Sequence, residues 1–559
     1  MATEPTTGNP PSLASQVSRA VVWNAIFVPL RMIAEIVATL LKLTVLPLTS
    51  YGLLALVSGA SNGLGTWIDL GTTRALPKYI PETNRAGGPR AVLRLLLAVL
   101  AAQVVVLLLV LGGLLLLYDS YLGGLQGKVL ADGRIPRAEQ LTLVGFIGEF
   151  GWLIILTILI LLFLGICYDM LMAYLNSFFK QRAWNSIALA AGLLPPLLSA
   201  AAILLSRLTG DPDRMAIIGV LIAMFLAPTI AVMLAGWNVY RLWMSDVRYW
   251  LANDTAIADR PLPPAGPLPA GFIRYCAVSF LMTMTDFLAS KSFAVFLTSD
   301  ISEVALLWAG ASVVGMVLGY LYTPMVGVQV PLFTRVRAGE GGTLSGAYQS
   351  LARLQALLLI PGAAGLLLLA QPVLSVLTPQ YVDAAPLVWV LVPCLFVESM
   401  LTTAHNALIV YEKLRVIVVS RLLTLSVAPL LLLLPPLFGV AGVALAFGAA
   451  RVLAGAWATA SGYRLLGLRW PWRFTARVLL ASGVMALLVA GLAMLLPALP
   501  ANAGIMLRLR EAALLLCIAV LGAGVFLVAL RLTGGLEAQD RAQLANMRLP
   551  GRRWLLRML

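Results

Sequence analysis

The sequence predicts an all-α integral membrane protein of about fourteen transmembrane helices, arranged as two six-helix lobes followed by two further helices. Three observations carry this reading. Of 559 residues, 60% are hydrophobic and 11% charged, against roughly 45–50% apolar and about 25% charged in soluble domains. The apolar residues gather into fourteen runs, each long enough for the helix of about 20 residues that crosses a hydrocarbon core. These runs are too long and too continuous for barrel strands, so helices must satisfy the backbone in lipid. A soluble enzyme is excluded.

Bounded by charge, Gly or Pro clusters, the expected spans cover 16–46, 50–76, 91–118, 142–175, 184–206, 215–242, 271–299, 303–334, 346–370, 385–410, 414–436, 439–463, 475–496 and 509–532. Residues 1–18 hold no Lys or Arg and lead into the first span without a small-residue cleavage site, so that span is expected to stay as an anchor. An even number of spans puts both termini on one side. Counting residues near a span's end with the adjoining loop, 27 of 39 Lys and Arg fall in the terminal segments and the loops after even-numbered spans, 7 in the opposite loops and 5 deep within spans. By the positive-inside rule both termini are expected to face the cytoplasm. The net charge of +15 is thus topology charge first, and nucleic acid is a poor partner for it.

The connection after span 6 turns polar and then carries Pro261, Pro263, Pro264, Pro267 and Pro269, the composition of a semi-rigid linker. The expected organisation is therefore an N-terminal lobe over 1–245, a cytoplasmic linker over 246–270, a second lobe over 271–466, two appended helices over 467–533, and a basic tail over 534–559. The tail interleaves Arg541, Arg548, Arg552, Arg553 and Arg557 with Leu and Trp, which suits an interfacial helix on anionic lipid. An internal repeat at an offset of 251 supports two lobes: Gly59-Ala60-Ser61 falls on Gly310-Ala311-Ser312, and Glu35 on Asp286.

No P-loop, GxSxG or HExxH motif is present. The four cysteines, Cys167, Cys276, Cys394 and Cys517, sit in apolar runs without CxxC spacing, so neither a disulfide framework nor a metal site is expected. The informative residues are charges inside spans, each costing about 2.5–3.5 kcal/mol at a helix centre. Arg31, Glu35 and Lys42 form one stripe on span 1 at helical spacing. Span 7 repeats the arrangement with Ser279, Thr283, Asp286 and Ser290, and Lys291 beside them. Span 10 offers Glu398, Thr402 and His405, while Arg421 and Arg451 lie on spans 11 and 12. Such groups face protein or a water-filled cavity, either as pairs that hold the bundle together or as a functional site.

Three stretches carry a resemblance. "SYGLLALVSGASNGLGTWIDLGTTRALPKYIPE" follows a first span that begins "SRAVVWNAI"; "YLNSFFKQRAWNSIALAAGLLPPLLSA" joins spans 4 and 5; "AHNALIVYEKLRVIVVSRLL" joins spans 10 and 11. Together they resemble the oligosaccharide flippases of the polysaccharide-biosynthesis transporter family, within the superfamily that also holds lipid II flippases and multidrug extruders. The resemblance implies alternating access by two lobes, moving a polyprenyl-diphosphate-linked oligosaccharide from the cytoplasmic to the outer leaflet. It assigns Arg31, Lys42 and Lys291 to the anionic headgroup, with Arg421 and Arg451 adding positive charge. Glu35, Asp286, Glu398 and His405 become candidates for coupling to Na⁺ or H⁺, no other cofactor being expected. Asp69 and Gly71, with Arg74 beyond them, take a structural or gating role. A polymerase or glycosyltransferases of the same pathway are expected partners.

Two other classes make different demands. A multidrug antiporter favours net acid in its cavity, whereas the intraspan charges singled out above are five basic (Arg31, Lys42, Lys291, Arg421, Arg451) against three acidic (Glu35, Asp286, Glu398). A membrane-embedded glycosyltransferase, polymerase or ligase wants a large external loop, and the longest here, about 119–140, is short. A transporter, not an enzyme, is expected.

Overall fold

A computed structural model describes residue 30 and residues 47–178, 180–252, 268–337, 342–377, 379–496 and 505–534. Among them there is no strand. The α-helices are α1 (Leu48–Asp69), α2 (Thr72–Leu116), α3 (Tyr118–Leu130), α4 (Arg137–Ser177), α5 (Gln181–Ser206), α6 (Pro212–Ala252), α7 (Phe272–Leu288), α8 (Lys291–Ala294), α9 (Ile301–Arg337), α10 (Leu344–Leu377), α11 (Ala385–Val410), α12 (Leu414–Thr424), α13 (Val427–Leu433), α14 (Pro435–Leu466), α15 (Trp472–Met494) and α16 (Ile505–Leu532). The chain is an all-helical, multi-pass membrane protein. Eleven of the described helices are long and apolar enough to cross a membrane, or twelve spans when the bent pair at residues 272–297 counts as one. Of the fourteen expected spans, the first (16–46) lies outside the described residues but for residue 30. The second is α1, whose Gly, Ser, Thr and Asn content leaves it out of that set.

Local sequence explains where the helices depart from the expected runs. Span 2 was expected to reach residue 76, but α1 stops at Asp69, because Leu70 and Gly71 take left-handed backbone angles of φ +52° and +75°. Helix α2 then begins at Thr72, within the run expected for span 2, and bends at Gly88, φ +67°, near the start of its membrane-crossing part, Ala86–Leu116. The expected external loop over 119–140 is largely the helix α3. Span 11 is divided into α12 and α13.

The described residues form two compact units. The first comprises Ala60–Gly123 and Gly145–Met284. Its core joins Leu76, Tyr79 and Ile80 of α2 to Tyr174 of α4 and to Phe272 and Cys276 of α7. The second comprises Leu43–Gly59, Gly124–Val144 and Thr285–Leu559. There α14 buries Ala444, Ala450, Ala454 and Ala458, small residues that let helix backbones approach closely where lipid offers no hydrophobic drive. The appended pair α15 and α16 pack on each other and on α10. The basic tail from residue 535 and the linker residues 253–267 lie outside the described residues.

Candidate functional site

Span 7 is where the sequence reading needs its main correction. The stripe Ser279, Thr283, Asp286, Ser290 was expected on one continuous helix, with Lys291 beside it. The helix instead breaks: α7 ends at Leu288, Ser290 is extended at φ −124° and ψ 160°, and the next segment, Lys291–Leu297, leaves at 55°. Ser290 turns its hydroxyl back to the Phe287 carbonyl at 2.6 Å. A broken helix in a membrane leaves carbonyl oxygens without intrahelical donors, and these are tolerated only where protein or water replaces them. Here Arg451 of α14 supplies a donor, its Nη1 reaching the Ala289 carbonyl at 3.4 Å. A guanidinium at a helix C-terminus also meets the negative end of the helix dipole.

The second unit gathers five charged residues around this break. Arg451 pairs with Glu398 of α11 at 2.7 Å. Arg421 of α12 donates Nη1 to the Asp286 carboxylate. Lys291 donates to Ser312 Oγ of α9 at 2.7 Å and lies 4.4 Å from the centroid of the Trp308 ring, a cation–π contact. The three cations and two acids carry a net charge of +1. Side-chain exposures of 19% for Arg421, 42% for Asp286, 36% for Arg451 and 24% for Glu398 leave the pairs reachable by a polar ligand or water. The cluster can therefore receive an anion without first breaking a fully buried ion pair, whose desolvation would dominate the energetics.

Of the residues singled out from sequence, Lys291, Asp286, Arg421, Arg451 and Glu398 come together here. His405 lies half-buried on α11, two turns beyond Glu398. Thr402 turns its hydroxyl to the Glu398 carbonyl at 2.9 Å. Arg31, Glu35 and Lys42 lie outside the described residues. Asp69, Gly71 and Arg74 belong to the first unit and form a different feature. The Asp69 carboxylate caps α2, its Oδ1 accepting Thr73 N at 2.9 Å, Thr73 Oγ1 at 2.6 Å and Thr72 Oγ1 at 3.1 Å. Gly71 lies so close to α7 that a Cβ would fall on the Cys276 carbonyl oxygen and 2.5 Å from the Phe280 nitrogen. Arg74 is exposed on the first turns of α2.

Sequence reasoning missed Trp308 and Ser312, which hold Lys291. Ser312 stood inside the repeat match with Ser61, but nothing in the pattern joined it to a lysine 21 residues away. It also passed over Asp169, an acid inside the apolar run of span 4, which the structure leaves exposed on α4.

No family model matches the chain, and no curated protein matches it. Solved structures do. A lipid II flippase MurJ in an inward closed conformation is 12% identical with a TM-score of 0.61, covering 90% of this chain and 98% of that one. The inward-facing conformation of a multidrug resistance MATE family transporter of the MOP superfamily is 15% identical with a TM-score of 0.52, covering 78% of this chain and 94% of that one. At such identities the likeness concerns the course of the chain over most of its length: this protein has the fold seen in these two membrane transporters.

Proposed function

We propose that this protein is an alternating-access transporter that moves a polyprenyl-diphosphate-linked oligosaccharide from the cytoplasmic to the outer leaflet of a prokaryotic plasma membrane, for the building of a surface polysaccharide. The observation that carries the reading is the cluster of Lys291, Arg421 and Arg451 at a broken span, with net positive charge and partly exposed pairs. A diphosphate leaves water only where fixed positive charge and donors replace its hydration. Arg421 and Arg451 offer planar forks for phosphate oxygens, and Lys291 a point charge. In this reading Arg31 and Lys42 also serve the anionic headgroup. Asp286, Glu398, Glu35 and His405 serve as the ion-coupling groups in this reading, and neutralising Asp286 or Glu398 releases the arginine that each pairs with.

The fold likeness to a lipid II flippase makes another lipid-linked cargo of the same chemistry the second reading, and the positive balance of the site favours either over a cationic drug. Both termini face the cytoplasm, where the basic tail meets anionic lipid, and pathway glycosyltransferases or a polymerase are the partners.

The test is reconstitution of the full chain in proteoliposomes with a fluorescent polyprenyl-diphosphate oligosaccharide and with a polyprenyl monophosphate of the same length. Protein-dependent flipping of the diphosphate, reduced at least tenfold in Lys291→Met, is expected. Equal movement of both lipids, or transport of a cationic dye in their place, overturns the assignment.

A further inference from the structure

Two helices begin in one compact unit and end in the other. The first turns of α1, up to Gly59, and of α4, up to Val144, belong to the second unit, whereas the remainder of each belongs to the first. Helix α4 departs from helical geometry soon after that boundary, at Phe150 with φ −108° and ψ 15°. Motion of one unit against the other must therefore bend these helices or pull their outer ends free. What holds the outer ends is visible in the second unit.

Asp132, in the turn between α3 and α4, is fully buried. Its Oδ2 accepts Ser302 N, in the first turn of α9, at 2.8 Å, and its Oδ1 accepts Arg134 N at 2.9 Å. Gln140 donates to the Asp132 carbonyl, so the turn is closed by its own hydrogen bonds. Lys128, at the end of α3, donates to the Thr298 carbonyl in the loop before α9. Thr49 of α1 donates to Glu139 of α4 at 3.0 Å. Helix α9 already carries its own capping pair, Asp300 accepting Glu303 N at 2.8 Å and Glu303 accepting Ser299 N at 3.1 Å. Asp132 thus adds a carboxylate from a distant segment to a helix N-terminus that is already capped, and the Lys128 ammonium offsets the negative charge. Burial lowers the Lys128 pKa and raises that of Asp300, while their mutual attraction opposes both shifts. Neither ion would be held here for its own hydration. Beside them the α1 backbone comes so near α9 that a Cβ on Gly52 would lie 2.5 Å from the Ile301 carbonyl oxygen.

We infer that Asp132 and Lys128 form a releasable latch, which clamps the outer ends of α1 and α4 to the start of α9 and must let go before the protein opens to the exterior. The inference rests on the alternating-access part of the proposed function and not on the cargo. The side is the one that the positive-charge split assigns to the exterior.

Ser302 provides the reporter, because it is fully buried and its hydroxyl makes no hydrogen bond among the described residues, so Ser302→Cys forfeits none. The full chain with this substitution is labelled in intact cells by a membrane-impermeant maleimide. Labelling is expected to be slow in the otherwise unaltered chain and about tenfold faster or more when Asp132→Asn or Lys128→Met removes a charge-assisted bond, with Lys128→Arg close to the slow rate. Native Cys394, packed against Gly448 between α11 and α14, stays unlabelled in every variant that has folded. Should Asp132→Asn fail that control, Lys128→Met carries the test, since its partner is a backbone carbonyl that water can satisfy. Unchanged slow labelling in folded Lys128→Met, or fast labelling in the unaltered latch, overturns the proposal. Labelling needs no cargo, so the latch and the diphosphate reading fail separately.

Discussion

Replacing Gly71 by Ala tests the turn that joins α1 to α2 and seats it on α7. The backbone there has φ +75°, which costs an L-residue about 1–2 kcal/mol. The added methyl has no room either, since it would fall on the Cys276 carbonyl oxygen, 2.5 Å from the Phe280 nitrogen and 2.9 Å from Ser279 Cβ. Two of these three neighbours are main chain, which cannot rotate aside, and overpacking of that kind costs about 1–3 kcal/mol. The two effects together come to about 2–5 kcal/mol. Gly65→Ala, on α1, is the comparison. Its methyl would sit 3.7 Å from Leu162 Cδ2, an ordinary contact, and replacing a helical glycine gains about 0.5–1 kcal/mol. Thermal unfolding of both variants, purified in one detergent and followed by tryptophan fluorescence, is expected to show opposite signs: a clear fall for Gly71→Ala and no fall for Gly65→Ala. A Gly71→Ala protein that unfolds at or above the unaltered temperature would refute the left-handed, backbone-packed turn.

The other predictions concern the charged groups. Glu398→Gln uncovers Arg451, but both side chains are part-exposed, so stability should fall by no more than about 1 kcal/mol while transport falls severalfold; the Glu398→Gln, Arg451→Gln double variant should recover the stability and not the transport, as read by melting temperature and proteoliposome flux. Asp286→Asn and Glu398→Gln should blunt the response of transport to imposed proton or sodium gradients, and an undiminished response to both gradients would remove these carboxylates from coupling. Arg31→Lys should already weaken transport, because a point charge replaces a bidentate fork; normal flux by a Glu35→Gln, Arg31→Gln double variant at normal expression would show that Arg31 serves packing. Cysteines placed at Pro264 and at Gly133 should react with an impermeant thiol reagent from inside and outside respectively, and the reverse pattern would overturn the 27-to-7 topology argument.

How much of this was legible in the sequence depended on the range of the interaction involved. Composition and run length alone determine an all-helical membrane protein, because a bilayer accepts only backbones that satisfy themselves within a helix or closed barrel, and that constraint is written locally in every apolar run. Charges in such runs stand out for the same reason, which is why Asp286, Lys291, Glu398, Arg421 and Arg451 could be named without a structure. Their pairing could not. Arg421 meets Asp286 across 135 residues and Arg451 meets the Ala289 carbonyl across 162, and no periodicity links positions so far apart. The break in span 7 was hidden because Ala289-Ser290 is an ordinary helical dipeptide; only a distant arginine able to receive the freed carbonyl makes the extended link affordable in lipid. Asp132 looked like one acid among mixed charges in a short loop. Its burial against the first turn of α9, 170 residues away, is a property of the packed chain, in which a carboxylate finds the unbonded N–H groups and the positive dipole end of a helix it does not belong to.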